Sequence, residues 1–154
     1  MYYTLYVKIK RIQQIGEDKT MSELERVETG LGEECGVFGA YDMDGGDVAP
    51  SVYYGLFALQ HRGQESCGIS VSDGEKIIRR NGMGLVIDVF KPNILDELNG
   101  NIGIGHVRYS TAGGSYDYNT QPLLGYTKGE QISLAHNGNL INYQILKSRL
   151  EEDE

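Results

Sequence analysis

Long apolar runs are missing from this sequence. No stretch approaches the roughly 18 residues that a membrane-spanning helix needs, so no bilayer-crossing helix and no membrane partner is expected. Cysteine is scarce as well. Cys35 and Cys67 stand 32 positions apart, which fits neither a disulfide-dense scaffold nor a C-x-x-C metal knuckle and points to a reducing compartment, the cytoplasm. Positive charge is in short supply: 14 Lys and Arg against 22 Asp and Glu leave a net −8, without the excess cation that a general nucleic-acid binder uses to neutralise phosphates. A signal peptide is not predicted, because Lys8, Lys10 and Arg11 follow the apolar start Met1-Tyr2-Tyr3-Thr4-Leu5-Tyr6-Val7 instead of preceding it. Walker A lysine is absent, and the glycines at 100, 103 and 105 break the dinucleotide spacing at Arg108. His61, His106 and His136 form no H-x-x-x-H pair, so buried or supporting roles are expected of them and no metal.

What is present is glycine. The 21 glycines are about twice the average usage and cluster beside His, Arg and Asn, a pattern that brings backbone close to a ligand. A chain of 154 residues predicts one domain. Residues 1–34 differ from the rest and read as a leader, with a capping-box start at Ser22 and Glu25; Met21 is an alternative initiator. The domain proper runs over 35–154. A strand is predicted over 35–41, then a turn-rich patch through Asp42-Met43-Asp44-Gly45-Gly46-Asp47. A helix follows from Pro50 to about Gln60, burying Val52, Leu56, Phe57 and Leu59. A hairpin over 67–71 and 76–80 turns at Asp73-Gly74. Residues 81–84 read as loop, 95–98 as a helical turn, 101–109 as strand, 110–122 as a long functional loop, 131–136 as strand and 140–150 as an amphipathic helix. The sum is a layered α+β domain. It is expected to be incomplete at the C-terminus, since 151–154 are the polar end of a helix with no cap or closing strand.

Three places could carry chemistry. Cys35, in Glu33-Glu34-Cys35-Gly36-Val37-Phe38-Gly39, is either a small buried hydrophobe or a nucleophile. Arg108 ends a predicted strand ahead of Tyr109-Ser110-Thr111-Ala112-Gly113-Gly114; it either grips a carboxylate bidentately, with Thr111 as a further donor, or is a surface Arg beside a loop. Asn137-Gly138 is first a turn signal, yet an amide side chain and a glycine N–H aimed at one point also make an oxyanion hole. Arg62 is expected in a structural ion pair.

Four motifs stand in order: Cys35-Gly36-Val37-Phe38-Gly39, Leu59-Gln60-His61-Arg62-Gly63-Gln64-Glu65-Ser66, Gly105-His106-Val107-Arg108-Tyr109-Ser110-Thr111-Ala112-Gly113, and Ala135-His136-Asn137-Gly138-Asn139-Leu140. Together they resemble the glutaminase domain of the amidophosphoribosyltransferases. The resemblance implies an N-terminal-nucleophile αββα sandwich in which cleavage between Glu34 and Cys35 frees the nucleophile's own α-amine as its base. It implies Cys35, Asn137 and Gly138 as catalytic groups, Arg108, Thr111 and Gly138 as glutamine-binding groups, and Arg62, Tyr109 and His106 as supports. It further implies ammonia delivery to phosphoribosylpyrophosphate in a phosphoribosyltransferase half that is absent here, together with that half's magnesium and, in some members, iron–sulfur cluster. No cofactor is expected in this segment. The complete enzyme is expected to be a homo-oligomer.

Two departures matter: the phosphoribosyltransferase half is missing, and so is one substrate-binding residue. The aspartate that contacts the substrate's α-amino group in the family lies beyond the last residue, so the 154-residue form is expected to be inactive alone. Two alternatives stand beside this reading: the glutaminase of glucosamine-6-phosphate synthase, whose motifs read more like Y-R-G-Y-D-S and R-W-A-T-H-G, and an unprocessed fragment acting as a binding module.

Overall fold

Two strands of alternating character lie at the centre of the fold, β3 (Ser66–Ser72) and β5 (Ile102–Arg108). They pair antiparallel, with Ser66 opposite Arg108 and Ser72 opposite Ile102. Outside them run β2 (Gly36–Tyr41), paired with β5, and β4 (Ile77–Met83), paired with β3, in the order β2-β5-β3-β4. The computed structural model describes residues 4–8, 35–109, 117–127, 129–138 and 142–152.

Because a strand alternates its faces, Cys67, Ile69, Val71 and Val107 all project to one side of this sheet. There they meet α1 (Ala49–Ala58), which contributes Ala49, Val52 and Leu56 to a single buried apolar cluster. Pro50 sits in the first turn of α1, where its missing N–H costs nothing, and Asp47 Oδ1 accepts the Ala49 N–H at 3.1 Å. Two short helices, α2 (Val86–Val89) and α3 (Pro92–Leu95), close the same layer, with Val86, Phe90 and Leu98 buried in it. Close approach of α1 depends on Gly105, where a Cβ would come within 2.7 Å of Leu56 Cδ1.

The other face of the sheet looks at a second one, in the order β1-β7-β6. Here β6 (Leu123–Thr127) and β7 (Glu130–His136) form an antiparallel pair, and β1 (Thr4–Lys8) lies parallel on the free side of β7, Thr4 level with Ile132 and Lys8 with His136. Hydrogen bonds tie the two sheets: Ile77 N–H to Gln131 Oε1 at 3.0 Å and Arg79 Nη1 to Pro122 O at 3.1 Å. A helix layer, two facing sheets and an exposed last helix, α4 (Tyr143–Glu152), make the expected α+β architecture. No described helix is long and apolar enough to cross a membrane.

Several expectations are corrected. Phe57 is 52% exposed, because the helix turns it away from the face that Val52 and Leu56 bury. Asn81, Gly82 and Met83 belong to β4 rather than to a loop, held opposite Gly68, Cys67 and Ser66. The helical turn expected over 95–98 lies earlier, at Pro92–Leu95, with Leu98 packed into the core. β6 and α2 were not anticipated at all. Within the leader, Thr4–Lys8 is a paired strand; the capping box at Ser22 and Glu25, the cleavage position's Glu34, and Leu140 and Ile141 lie outside the described residues.

Candidate active site around Cys35

Cys35 immediately precedes β2, whose first pair is Gly36 with Val107, so the register brings the cysteine level with Arg108 at the end of β5. It is free and half-buried. Its Sγ accepts the Tyr109 N–H at 3.3 Å and lies 3.5 Å from Tyr109 O, to which the thiol donates. Across the sheet gap, Asn137 Nδ2 donates to the Cys35 carbonyl at 2.5 Å. The last residue of β7 is steadied for this by Gln121, whose Oε1 accepts the His136 N–H at 2.7 Å. Gly138 is exposed and has φ +148°, a conformation that favours glycine. The structure thus brings Cys35, Tyr109, Asn137 and Arg108 to one end of the sandwich.

Arg108 is 7% exposed and forms an ion pair with Glu65, Nη1 to Oε1 at 2.8 Å. Glu65 is itself fixed, since its N–H donates to Arg108 O at 3.1 Å and its carbonyl accepts the Gly84 N–H at 2.7 Å. Gly63 permits this close passage; a Cβ there would lie 2.7 Å from Arg108 N. The surface-Arg alternative for Arg108 is therefore overturned. Arg62 lies on the single turn Gln60–Arg62 and makes no ion pair with a described residue. Thr111 lies outside the described residues.

His106 and His136 stand near each other, and His61 lies apart from them. His61 is exposed, with Nδ1 3.1 Å from Ala58 O, while His106 is fully buried between the sheets. Burial holds the His106 imidazole neutral, lowering its pKa to about 4, with the neighbouring His136 and the Arg108 cation acting in the same direction. Among the described residues no three His, Cys, Asp or Glu side chains gather as a metal site. Cys67 is fully buried, and burial with the nearby Asp88 pushes its thiol up to about 12.

Sequence reasoning quoted Glu65 inside a motif but gave it no role. A signal was available, because a strand-end Arg that is to be buried needs a carboxylate, and Glu65 is the acid in the motif preceding β3. Gln121 carried no comparable signal.

Comparison with known proteins bears on the same residues. Residues 93–152 match the family model for class-II glutamine amidotransferases. The chain is 51% identical over 127 residues to an amidophosphoribosyltransferase of Methanothermobacter thermautotrophicus, covering 82% of this chain and 27% of the relative. The Bacillus subtilis amidophosphoribosyltransferase is 51% identical over 124 residues, covering 79% and 25%. Among solved structures, the B. subtilis glutamine phosphoribosylpyrophosphate amidotransferase complexed with ADP and GMP aligns with a TM-score of 0.65 at 44% identity, over 76% of this chain and 25% of that one. A second, titled as the allosteric regulatory enzyme of purine biosynthesis, aligns at 0.67 and 46%, with the same coverage. The chain is a relative of these enzymes and shares their N-terminal-nucleophile fold. It spans about a quarter of their length.

Proposed function

We propose that this relative of the amidophosphoribosyltransferases is the glutaminase part of such an enzyme, hydrolysing glutamine to supply ammonia. The observation that carries the reading is the meeting of Cys35 with the Asn137 amide and the Tyr109 N–H beside a buried Arg108. Cleavage between Glu34 and Cys35, by autoprocessing of the leader, leaves the α-amine of Cys35 to take the thiol proton; an α-amine with a pKa near 8 suits that task. Arg108 and Thr111 hold the α-carboxylate of glutamine. The thiolate adds to the side-chain carboxamide, and the oxyanion is stabilised by Asn137 Nδ2 and the Gly138 N–H, whose φ turns the backbone there. For this, Nδ2 exchanges its bond to the Cys35 carbonyl for one to the substrate. The amine returns its proton to the leaving ammonia, and water hydrolyses the γ-glutamyl thioester to glutamate and free thiol.

In the complete, homo-oligomeric enzyme, the ammonia displaces pyrophosphate from phosphoribosylpyrophosphate to give 5-phosphoribosylamine. The phosphoribosyltransferase half, with its magnesium and the iron–sulfur cluster of some members, supplies that step. Two free thiols support a cytoplasmic setting. Intact mass and labelling test the proposal in the full-length protein: a species starting at Cys35, with one equivalent of an electrophilic glutamine analogue on that residue, is expected. A retained leader with an unlabelled Cys35 overturns it, and supports instead the unprocessed binding module, which the pairing of Thr4–Lys8 along β7 favours.

A further inference from the structure

The space between the two sheets is lined by polar groups that lack partners. Among the described residues, both ring nitrogens of the fully buried His106, the buried Oδ1 of Asn137, Glu65 Oε2, and the hydroxyls of Ser66, Ser70 and Ser133 have no partner at hydrogen-bond geometry. A buried polar atom left in that state costs about 1–3 kcal/mol, so a concentration of them in one layer calls for an explanation. Three are hydroxyls, which rotate freely, and Glu65 Oε2 belongs to a carboxylate already paired with Arg108. His106 and Asn137 are different, because they face each other: the Asn137 amide and the His136 main chain are the groups set against the imidazole.

We infer that His106 is the positioning residue for Asn137, its neutral ring donating an N–H to Asn137 Oδ1 and so fixing the carboxamide with Nδ2 toward the reacting carbon. This deepens the glutaminase reading and rests on it. A neutral imidazole carries one N–H and one acceptor nitrogen, and can satisfy one of the two groups before it. The His136 N–H is held by Gln121, so the His136 carbonyl is the one main-chain group that competes for the ring N–H. Asn137 Oδ1 is the side-chain acceptor set against the ring that has no partner among the described residues. An amide whose oxygen is held has its nitrogen aimed as well, since the group is planar. His106 does not reach the substrate: it stands opposite Val37 and Gly68 inside the sandwich. The neutral state matters because an imidazolium, with two N–H groups, would also pull on the His136 backbone.

The inference pairs kinetics with spectroscopy, both in the full-length protein starting at Cys35. His106→Phe keeps a flat ring but no N–H, and is expected to lower kcat for glutamine hydrolysis about 10- to 30-fold with KM within about 2-fold, a fraction of the roughly 100- to 1000-fold that removing an oxyanion donor costs. His106→Asn or His106→Gln restores a neutral N–H donor and is expected to recover part of the loss. A folded His106→Phe protein with unchanged kcat overturns the inference. Asn137→Ala separates the two levels: if it loses activity while His106→Phe does not, the positioning role alone fails; if Asn137→Ala is also silent, the oxyanion reading fails and takes the positioning role with it. Nuclear magnetic resonance of the unmutated protein needs no variant to fold. It is expected to show one ring N–H on His106 with a cross-peak to the Asn137 side-chain amide, and absence of that contact overturns the inference.

Discussion

The two faces of the four-stranded sheet are built by the same strands and differ in almost everything else. Toward α1, β3 and β5 present Cys67, Ile69, Val71 and Val107 to Val52, Leu56, Phe90 and Leu98, an apolar layer without a polar side chain in its buried cluster. Toward the second sheet the intervening residues include the polar Ser66, Ser70, Ser72, His106 and Arg108, all buried, with Ile104 buried among them. One face gains stability from removing hydrocarbon from water. The other spends some of it holding polar groups where chemistry requires them, and the two cysteines mark the contrast, Cys67 on the apolar face and Cys35 at the end of the polar one.

The comparison is sharpest at the thiols. Burial and the nearby Asp88 push the Cys67 thiol from 9.0 up to about 12, so its thiolate fraction is down by about 1000-fold. An alkylating reagent on the native protein is expected to modify Cys35 and leave Cys67 untouched until unfolding; peptide mass mapping reads this, and equal labelling would erase the distinction. Next in size is the ion pair. Glu65→Ala removes the carboxylate paired with the buried Arg108 and is expected to destabilise the protein by about 3 kcal/mol in urea unfolding. On the apolar face, Leu56→Ala should cost about 3 kcal/mol, whereas Ser70→Ala, which deletes an unpartnered hydroxyl, should lie within about 1 kcal/mol of the parent or above it. Similar costs for these two would show that the faces are energetically alike.

Acid should act on the polar face through His106. The folded pKa of His106 is lowered from 6.5 to about 4 by burial, by His136 and by Arg108, so the unfolded chain binds the proton more readily. The associated stability is complete above pH 6.5, falls as pH drops toward about 4, and amounts to roughly 3 kcal/mol across that window. Unfolding midpoints for the parent and a folded His106→Phe variant, measured between pH 7 and pH 4, are expected to converge as acid is added. Parallel curves would assign the acid sensitivity elsewhere.

Local chemistry made much of this legible. Asp73-Gly74 marked the turn between β3 and β4, and Pro50 after Asp47 marked the start of α1, because turn and cap preferences act within a few residues. Val52 and Leu56 were readable from helical spacing; Phe57 was not, since spacing says that a helix has a buried face without saying how wide it is. The extension of β4 through Asn81-Gly82-Met83 was hidden because Asn and Gly there look like loop, and only pairing with 66–68 makes them strand. β6 was lost in the glycine- and tyrosine-rich stretch for the same reason. The candidate nucleophile, the Arg and the Asn-Gly pair were all legible as residue types in motifs.

What the sequence determined by itself is therefore the inventory: a cysteine preceded by two acids, an arginine at a strand end, an amide beside a glycine, and alternation strong enough to specify strands. Tertiary structure decided the assignments. Parity along β3 and β5 says that Cys67 and His106 lie on opposite faces, but only the packing of α1 on one side and β7 on the other makes one face apolar and the other polar. Likewise Glu65 and Arg108 are 43 residues apart, and Asn137 and Cys35 are 102 apart. Contacts at such separations follow from which strands pair, and that is settled by the whole core and by no local preference.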